Sequence, residues 1–288
     1  MAAPDSMVIR PELFEAVVVG GARNLLSSAA KLGSVRALVY TSTSSVIHDN
    51  VTDMFDADER LPVLRPPAQK RVYTLTKATA EEEILAATRT GGDRSMLTVS
   101  IRPALTFGER DRGFLAKVIE VGEKGQTKYQ MGAGKNEYDY VYVGNLAEAH
   151  VLAAQALLGA YGKPAPAADR RVDGENFNIT NDERMLFWDF NRKVAAAAGY
   201  PVKKEEIVVI PATVGLMFGW ISEWVTWITS WGTRQPVMTR DGIRFSTITR
   251  TLNGEKAKRV LGYRPRVSMD DGIERGVRWF IDNDKKMN

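Results

Sequence analysis

Short apolar runs alternate with longer amphipathic segments over the first 180 residues of the chain. Residues 35–40 and 96–101 are rich in apolar and β-branched side chains, which is typical of buried parallel strands. Residues 11–31 have the periodic apolar face of an amphipathic helix, and helix, strand and helix alternate from there to about residue 160. This alternation predicts an α/β fold with a doubly wound, Rossmann-like parallel sheet.

The second half of the chain adds one more strand and an unusual apolar segment. A loop rich in Pro and Ala at residues 164–171 precedes a predicted strand at residues 176–180. Residues 211–231 contain a single charged side chain, Glu223, and are long enough for a helix of about 31 Å.

Tryptophan is concentrated in that apolar segment, where four of the six tryptophans share one helical stripe. Tryptophan favours the membrane interface because its ring is apolar and its N–H is polar. The stripe therefore either packs onto the core or lies on, or dips into, a bilayer. A helix that spans the bilayer is disfavoured, because Gly215, Gly219 and Glu223 interrupt the run. The four residues are Trp220, Trp224, Trp227 and Trp231.

The candidate chemistry begins with five Ser and Thr residues at positions 41–45, directly after the first predicted strand. Tyr73 and Lys77 follow about 30 residues later, four positions apart in a segment that favours a helix, so both should project from one face. A nearby ammonium lowers the pKa of a phenol from about 10, which makes it a usable base near neutral pH. The pattern predicts a proton-transfer site.

The predicted strands indicate where this site lies. The second strand ends at Arg102 and Pro103, and Gly108 follows in the next loop. Ligands of open parallel sheets bind at the carboxyl ends of the strands, so we expect this loop to converge with residues 41–45 on one edge.

Several separated motifs together resemble the extended short-chain dehydrogenase/reductases, and within them the 3β-hydroxysteroid and sterol-4α-carboxylate 3-dehydrogenases. The resemblance is strongest to the fungal, decarboxylating members and covers nearly the whole chain in family order. The matching segments are residues 19–26, 39–43, 73–77, 102–108, 140–150 and 256–265.

The resemblance implies a role for each site residue. Tyr73 would be the general base, Lys77 would hold the nicotinamide ribose and lower the pKa of the tyrosine, and Thr43 would orient the substrate oxygen. Ser42 and Pro103, together with Tyr73 and Lys77, would contact the cofactor, which is NAD or NADP with NAD slightly favoured.

Other roles for these residues stay open. Ser42 or Ser44 could take the place of Thr43, whose hydroxyl could also simply cap the local backbone. Tyr73 and Lys77 could be an ordinary surface pair on a helix.

The activity implied by the resemblance is oxidation of the 3β-hydroxyl of a 4α-carboxysterol, followed by loss of carbon dioxide from the resulting β-keto acid. Two alternatives remain: a dehydrogenase or ketone reductase of secondary metabolism, and an inactive sterol-binding or scaffold protein. The implied partners are a sterol or steroid-like molecule, a membrane surface, and a homodimer or a sterol-demethylation complex. The implied location is the cytosolic face of the endoplasmic reticulum membrane, with the cytoplasm as the alternative.

The chain also departs from the family. It contains no Gly-x-x-Gly-x-x-Gly fingerprint, the loop that joins the first strand to the first helix of such folds. We therefore expect about 60 to 90 residues of the family's N-terminal part to be absent. Residues 1–180 would form a partial NAD(P)-binding Rossmann domain, and residues 181–288 a small substrate lobe. Val18 stands where relatives carry an Asn of the proton relay.

Composition limits which types of protein, partner and site remain possible. A chain of 288 residues with 44% hydrophobic content can bury one sizeable core and a subsidiary lobe. The net charge of +4 is scattered, which argues against nucleic acid as a partner. The absence of cysteine excludes disulfides and thiolate chemistry. His48 and His150 lie far apart without clustered carboxylates, so no metal site is expected.

Overall fold

The computed structural model of the protein describes residues 10–284, except residues 232, 233, 235 and 237. Three parallel strands form its main sheet, in the order β1 (Ala37–Thr41), β3 (Leu97–Pro103) and β8 (Asn176–Ile179). The strands predicted at residues 35–40, 96–101 and 176–180 are thus confirmed. Every residue of β3 is buried, whereas β1 is an edge strand whose residues all stay partly exposed.

Helices cover both faces of this sheet. Leu38 and Tyr40 pack with the first helical segments and with α3 (Val72–Ala86), while Ala37 and Val39 pack on the other face with α5 (Val143–Ala160). Successive strand residues point to opposite faces, so one short strand supplies both layers. The doubly wound α/β arrangement is confirmed.

The helix predicted at residues 11–31 is a continuous helical run with an irregular middle. It consists of α1 (Pro11–Phe14), a π-helical segment at Glu15–Gly20 and α2 (Gly21–Leu32). Val18 lies in the π-helical segment and is buried against α3, together with Phe14. π-Helical turns occur often at functional sites.

Three smaller sheets complete the fold, and two of them join strands from both halves of the chain. One has the order β2 (Met54–Ala57), β11 (Arg250–Leu252), β6 (Glu137–Tyr138) and β9 (Met185–Leu186). The second pairs β4 (Leu105–Phe107) with β7 (Tyr140–Tyr142), and the third pairs β5 (Tyr129–Met131) with β10 (Val208–Ile210). The division at residue 180 therefore falls within interleaved sheets, and a separate substrate lobe remains a prediction.

An aromatic core lies beneath these smaller sheets. The rings of Tyr140 and Phe190 stack with centroids 4.1 Å apart, and Phe107 meets Phe190 edge to face at 5.2 Å. The helices around this core include α4 (Leu115–Glu123), α6 (Phe187–Ala197) and α10 (Met269–Asp284). The shorter helices α8 (Arg240–Phe245) and α9 (Glu255–Leu261) flank β11 in sequence.

The apolar segment forms α7 (Ala212–Ser230), which packs through its glycines. A Cβ atom at Gly219 would lie 3.0 Å from the backbone nitrogen of Arg240, so α7 and α8 are in close contact at this point. The tryptophan rings lie elsewhere: Trp220, Trp224 and Trp227 are 49%, 50% and 56% exposed. The alternative that the stripe packs onto the core is therefore wrong for these three residues. None of the helices in the described part of the chain has the length and apolar character needed to cross a bilayer.

Candidate active site

The hydroxyl cluster lies at the carboxyl end of β1, where the chain turns into a 3₁₀ helix at Ser44–Ile47. The Oγ1 atom of Thr43 caps this helix by accepting a hydrogen bond from the backbone N–H of Ser45 at 3.2 Å. The same hydroxyl donates to the Oγ atom of Ser45, also at 3.2 Å. The capping role of Thr43 is therefore present, and it fixes the position of the hydroxyl.

Tyr73 lies in the first turn of α3, beside this cluster. Its hydroxyl lies close enough to the side chain of Thr43 for Thr43 to lower the pKa of Tyr73, and its ring meets Phe14 edge to face with centroids 6.3 Å apart. The structure thus brings together Tyr73 and Thr43, which the sequence predicts to share one site.

Lys77 lies one turn further along α3 and is 1% exposed. Its ammonium donates to the carbonyl oxygen of Thr41 at 2.9 Å and lies 5.1 Å from the centroid of the Tyr40 ring. Burial lowers the pKa of Lys77 to about 8, although the negative charge of Glu81 acts in the opposite direction. A surface position for Lys77 is therefore ruled out.

The pKa of Tyr73 shifts in the direction opposite to the one expected from the sequence. Burial raises the pKa of Tyr73, and it outweighs the Thr43 side chain and the positive charge of Arg250, which both lower this pKa. The expectation that Lys77 holds the pKa of Tyr73 below its ordinary value is wrong for the protein on its own. Tyr73 is protonated at neutral pH in this state.

Ser42 and Pro103 lie on neighbouring strand ends. The backbone N–H of Ser42 donates to the carbonyl of Ile101 in β3 at 2.7 Å, and Pro103 ends the same strand. The hydroxyl of Ser42 is 2% exposed and has no hydrogen-bond partner within the described part of the chain. Ser42 directly follows Thr41, whose carbonyl binds Lys77. A buried hydroxyl without a partner in the described residues fits an edge that receives a polar ligand such as a nicotinamide ribose.

A buried ion pair holds α3 in place. Glu81 accepts hydrogen bonds from Nε of Arg102 at 3.0 and 3.1 Å and from the hydroxyl of Ser100 at 3.0 Å. Both residues of β3 thereby connect to the helix that carries Tyr73 and Lys77. Because Glu81 lies one helical turn beyond Lys77, the ion pair fixes the position of the helix that carries the site residues.

Arg250 is a site residue that the sequence did not indicate. Its Nη2 atom donates to the hydroxyls of Ser45 at 2.9 Å and Ser44 at 3.2 Å, and its charge acts on Tyr73. Arg250 lies on β11, far from residues 41–77 in sequence, so only its place six residues before the motif at 256–265 could have signalled it.

Both histidines make hydrogen bonds that support the fold. In His150, Nδ1 donates to the carbonyl of Leu146 at 2.8 Å, so Nε2 accepts from the hydroxyl of Thr41 at 2.7 Å. The Nε2 atom of His48 lies 2.8 Å from the carbonyl of Thr52. Over residues 10–284, with the four gaps given above, no cluster of His, Asp and Glu could hold a metal ion.

A cavity of about 360 Å³ lies apart from these residues. It is lined by charged groups on strands and loops of the small four-stranded sheet, and none of the residues predicted for the site is among its lining residues. The site around Tyr73 therefore lies outside this cavity. Its lining includes Asp56, Asp139, Asp182, Arg184 and Lys258.

The chain is similar in sequence to known proteins. The sequence model of the 3-beta hydroxysteroid dehydrogenase/isomerase family matches residues 2–210. The chain is 38% identical over 270 residues to a decarboxylating sterol-4-alpha-carboxylate 3-dehydrogenase of Saccharomyces cerevisiae, covering 94% of this chain and 72% of that protein. It is 33% identical to the sterol-4-alpha-carboxylate 3-dehydrogenase of Bos taurus, covering 97% of this chain and 74% of that protein.

Solved structures share the fold at lower identity. A UDP-glucose 4-epimerase from Thermotoga maritima, solved with UDP-glucose, superposes with a TM-score of 0.66 and 21% identity over all of this chain and 77% of that one. A dTDP-glucose 4,6-dehydratase from Bacillus anthracis, solved with NAD, gives a TM-score of 0.62 and 16% identity over 97% of this chain and 72% of that one. The family match and the similarity to the sterol dehydrogenases establish that the chain belongs to the 3-beta hydroxysteroid dehydrogenase/isomerase family.

Proposed function

We propose that this protein oxidises the 3β-hydroxyl of a 4α-carboxysterol, with a nicotinamide cofactor, and thereby starts the loss of the carboxyl group. The observation that carries the proposal is that Tyr73 and Thr43 lie next to each other at a strand end, on the helix and loop that also enclose the buried ammonium of Lys77. The relatives named as sterol-4-alpha-carboxylate 3-dehydrogenases supply the substrate class.

The side chains divide the work as follows. Thr43 and Tyr73 hold the substrate hydroxyl, and the proton of that hydroxyl moves to the Oη atom of Tyr73. When bound, the nicotinamide accepts the hydride that leaves carbon 3. Lys77 and the partnerless hydroxyl of Ser42 are the groups that would hold its ribose, with Pro103 lining the pocket. The product is a β-keto acid, which loses carbon dioxide through its own enol.

The protonation state of Tyr73 gives this proposal a pH dependence. A base must be deprotonated before it accepts a proton, and burial raises the pKa of Tyr73. We therefore expect oxidation to accelerate as pH rises into the alkaline range. The same protonated Tyr73 favours a second candidate function, reduction of a ketone, because a neutral phenol can donate its proton to the carbonyl oxygen.

A turnover assay tests the proposal. Purified protein is incubated with a 4α-carboxysterol and either NAD or NADP, while nicotinamide absorbance and the decarboxylated 3-ketone are followed. Both cofactors are included because structural neighbours were solved with NAD and with NADPH. Replacing Tyr73 by Phe or Thr43 by Val should abolish product formation, whereas Thr90→Val, at an exposed position, should not. Binding of the sterol without turnover would instead support the inactive, sterol-binding alternative.

We also propose that α7 rests on a lipid surface, with the endoplasmic reticulum membrane as the location. Its single charge, Glu223, pairs with Arg240 at 2.7 Å, so no unpaired charge opposes contact with lipid. Trp220, Trp224 and Trp227 form an exposed row with ring centroids about 6 Å apart. Tryptophan at an amphipathic surface is typical of helices that lie in the membrane interface.

Vesicle flotation tests the lipid contact. Replacing all three tryptophans by Ser should abolish flotation of the protein with vesicles of phosphatidylcholine and phosphatidylserine. The matched control replaces three other exposed apolar residues, Leu25, Val151 and Leu158, by Ser and should float like the wild type. Equal flotation of both variants would exclude α7 as the contact.

A further inference from the structure

The guanidinium of Arg250 lies beside the proposed catalytic hydroxyls without an acidic partner. Its Nη2 atom donates to Ser45 and Ser44, both of which are neutral. Within the described residues, no carboxylate oxygen lies within 4.0 Å of this guanidinium, and another cation, Arg71, acts on it. Burial lowers the pKa of Arg250 most, and Arg71 also lowers it, whereas Tyr138 and Tyr73 raise it. The described residues therefore supply no carboxylate to compensate for this charge.

Other arginines of the protein with limited exposure have carboxylate partners. Arg102 pairs with Glu81 in the interior, Arg89 pairs with Asp173 at 2.6 Å, and Arg192 pairs with Asp189 at 2.8 Å. A desolvated cation is costly unless it is paired, so an arginine left without an anion is suited to receive one from a ligand. The planar guanidinium matches the geometry of carboxylate and phosphate groups.

The place of Arg250 defines which part of a ligand it can reach. Ser45 accepts a hydrogen bond from Thr43, and Thr43 in turn lies next to Tyr73 and lowers its pKa. Arg250 is thus two hydrogen bonds away from the hydroxyl that would orient the reacting oxygen. In a 4α-carboxysterol the carboxylate is attached to the carbon next to the reacting carbon 3. A substrate held at Thr43 and Tyr73 therefore carries its carboxylate toward the same end of the site.

We propose that Arg250 binds the 4α-carboxylate of the substrate and so selects carboxysterols over neutral 3β-hydroxysterols. The inference rests on the proposed function and adds the residue that recognises the acidic group. Arg250 forms no covalent bond and takes no proton in this role. It contributes an ion pair that only a carboxylated substrate can complete.

The test compares two substrates that differ only in the carboxylate. Arg250→Met should lower kcat/KM for a 4α-carboxysterol by about 30-fold or more, as expected for loss of one partner of a buried charge pair. The kcat/KM for the matching 4α-methyl sterol should fall by a much smaller factor, and Arg250→Lys should restore part of the preference. Arg192→Met, which removes a half-buried arginine away from Tyr73, should leave the ratio of the two kcat/KM values unchanged.

An equal loss for both sterols in Arg250→Met, with a shifted pH profile, would overturn the inference. Arg250 would then act only by holding Ser44 and Ser45 or by adjusting the pKa of Tyr73. Such a result would leave the proposed dehydrogenase function intact.

A binding measurement separates this inference from failure of the proposed function. If the wild type oxidises neither sterol, the proposed function is wrong, and thermal shift then reports on Arg250 alone. We expect the carboxysterol to raise the Tm of the wild type more than the 4α-methyl sterol does, and Arg250→Met to remove that difference. Equal shifts of the wild type with both sterols would overturn the inference without any reference to turnover.

Discussion

The buried ammonium of Lys77 should lower the stability of the protein at neutral pH. Its pKa falls from 10.5 to about 8 because the side chain is almost fully buried. Each unit of pKa corresponds to about 1.4 kcal/mol, so charging Lys77 in the folded state costs about 3 kcal/mol. The unfolded chain binds this proton more tightly than the folded one. The cost is therefore fully present below about pH 8 and disappears as pH rises from about 8 to about 10.5.

Lys77→Met removes the charge and also the hydrogen bond to the Thr41 carbonyl, whose loss costs about 1–3 kcal/mol at every pH. Only the pH-dependent part of the stability difference between Lys77→Met and the wild type therefore reports on the charge of Lys77. We expect the stability of Lys77→Met relative to the wild type to fall by about 3 kcal/mol between pH 7 and pH 10.5.

Urea denaturation of both proteins at several pH values measures this difference. Lys31→Met, at an exposed position on α2, is the matched control and should show almost no pH-dependent difference from the wild type. A difference for Lys77→Met that stays constant over this pH range would refute the reasoning, because Lys77 would then be solvated in the folded protein.

Two further changes test other buried charges. Glu81→Gln should destabilise the protein by about 3–5 kcal/mol in urea denaturation because Arg102 loses its buried partner. Glu82→Gln, at the exposed pair with Arg65, is the control and should cost about 1 kcal/mol or less. Similar losses for the two variants would refute the assignment of Glu81 and Arg102 as a buried ion pair. Burial raises the pKa of Asp139 from 3.8 to about 6, so the folded protein favours the neutral carboxyl. The stability of Asp139→Asn relative to the wild type should rise by up to about 3 kcal/mol between pH 4 and pH 6 and then level off, and a flat profile would contradict this.

Local patterns predicted the parts of the structure that depend on local physics. The strands at residues 37–41 and 97–103 follow from short β-branched runs, and the shared helix face of Tyr73 and Lys77 follows from a four-residue spacing. The strand-end rule predicted that Thr43 lies at the ligand-binding edge of the sheet, and the family resemblance placed Tyr73 in the same site.

Features that depend on distant contacts were not predictable in the same way. Arg250 reaches the site because β11 pairs with β2 and β6, and no local pattern encodes that pairing. The raised pKa of Tyr73 reflects how deeply its hydroxyl is buried, and the spacing between Tyr73 and Lys77 in the sequence contains no information about burial. The sequence likewise did not show which side of α7 is exposed, because that depends on the contact between Gly219 and α8.

Transfer of a deuterium label tests the central claim most directly. A 4α-carboxysterol carrying deuterium on carbon 3 is incubated with protein and NAD or NADP in a single turnover, and the nicotinamide is analysed by mass spectrometry. We predict deuterated nicotinamide with the wild type and at least a 100-fold slower transfer with Tyr73→Phe, as for loss of a general base. Absence of deuterium from the nicotinamide with folded wild-type protein, or equal transfer by Tyr73→Phe, would contradict the assignment of Tyr73 as the base of a sterol 3-dehydrogenase.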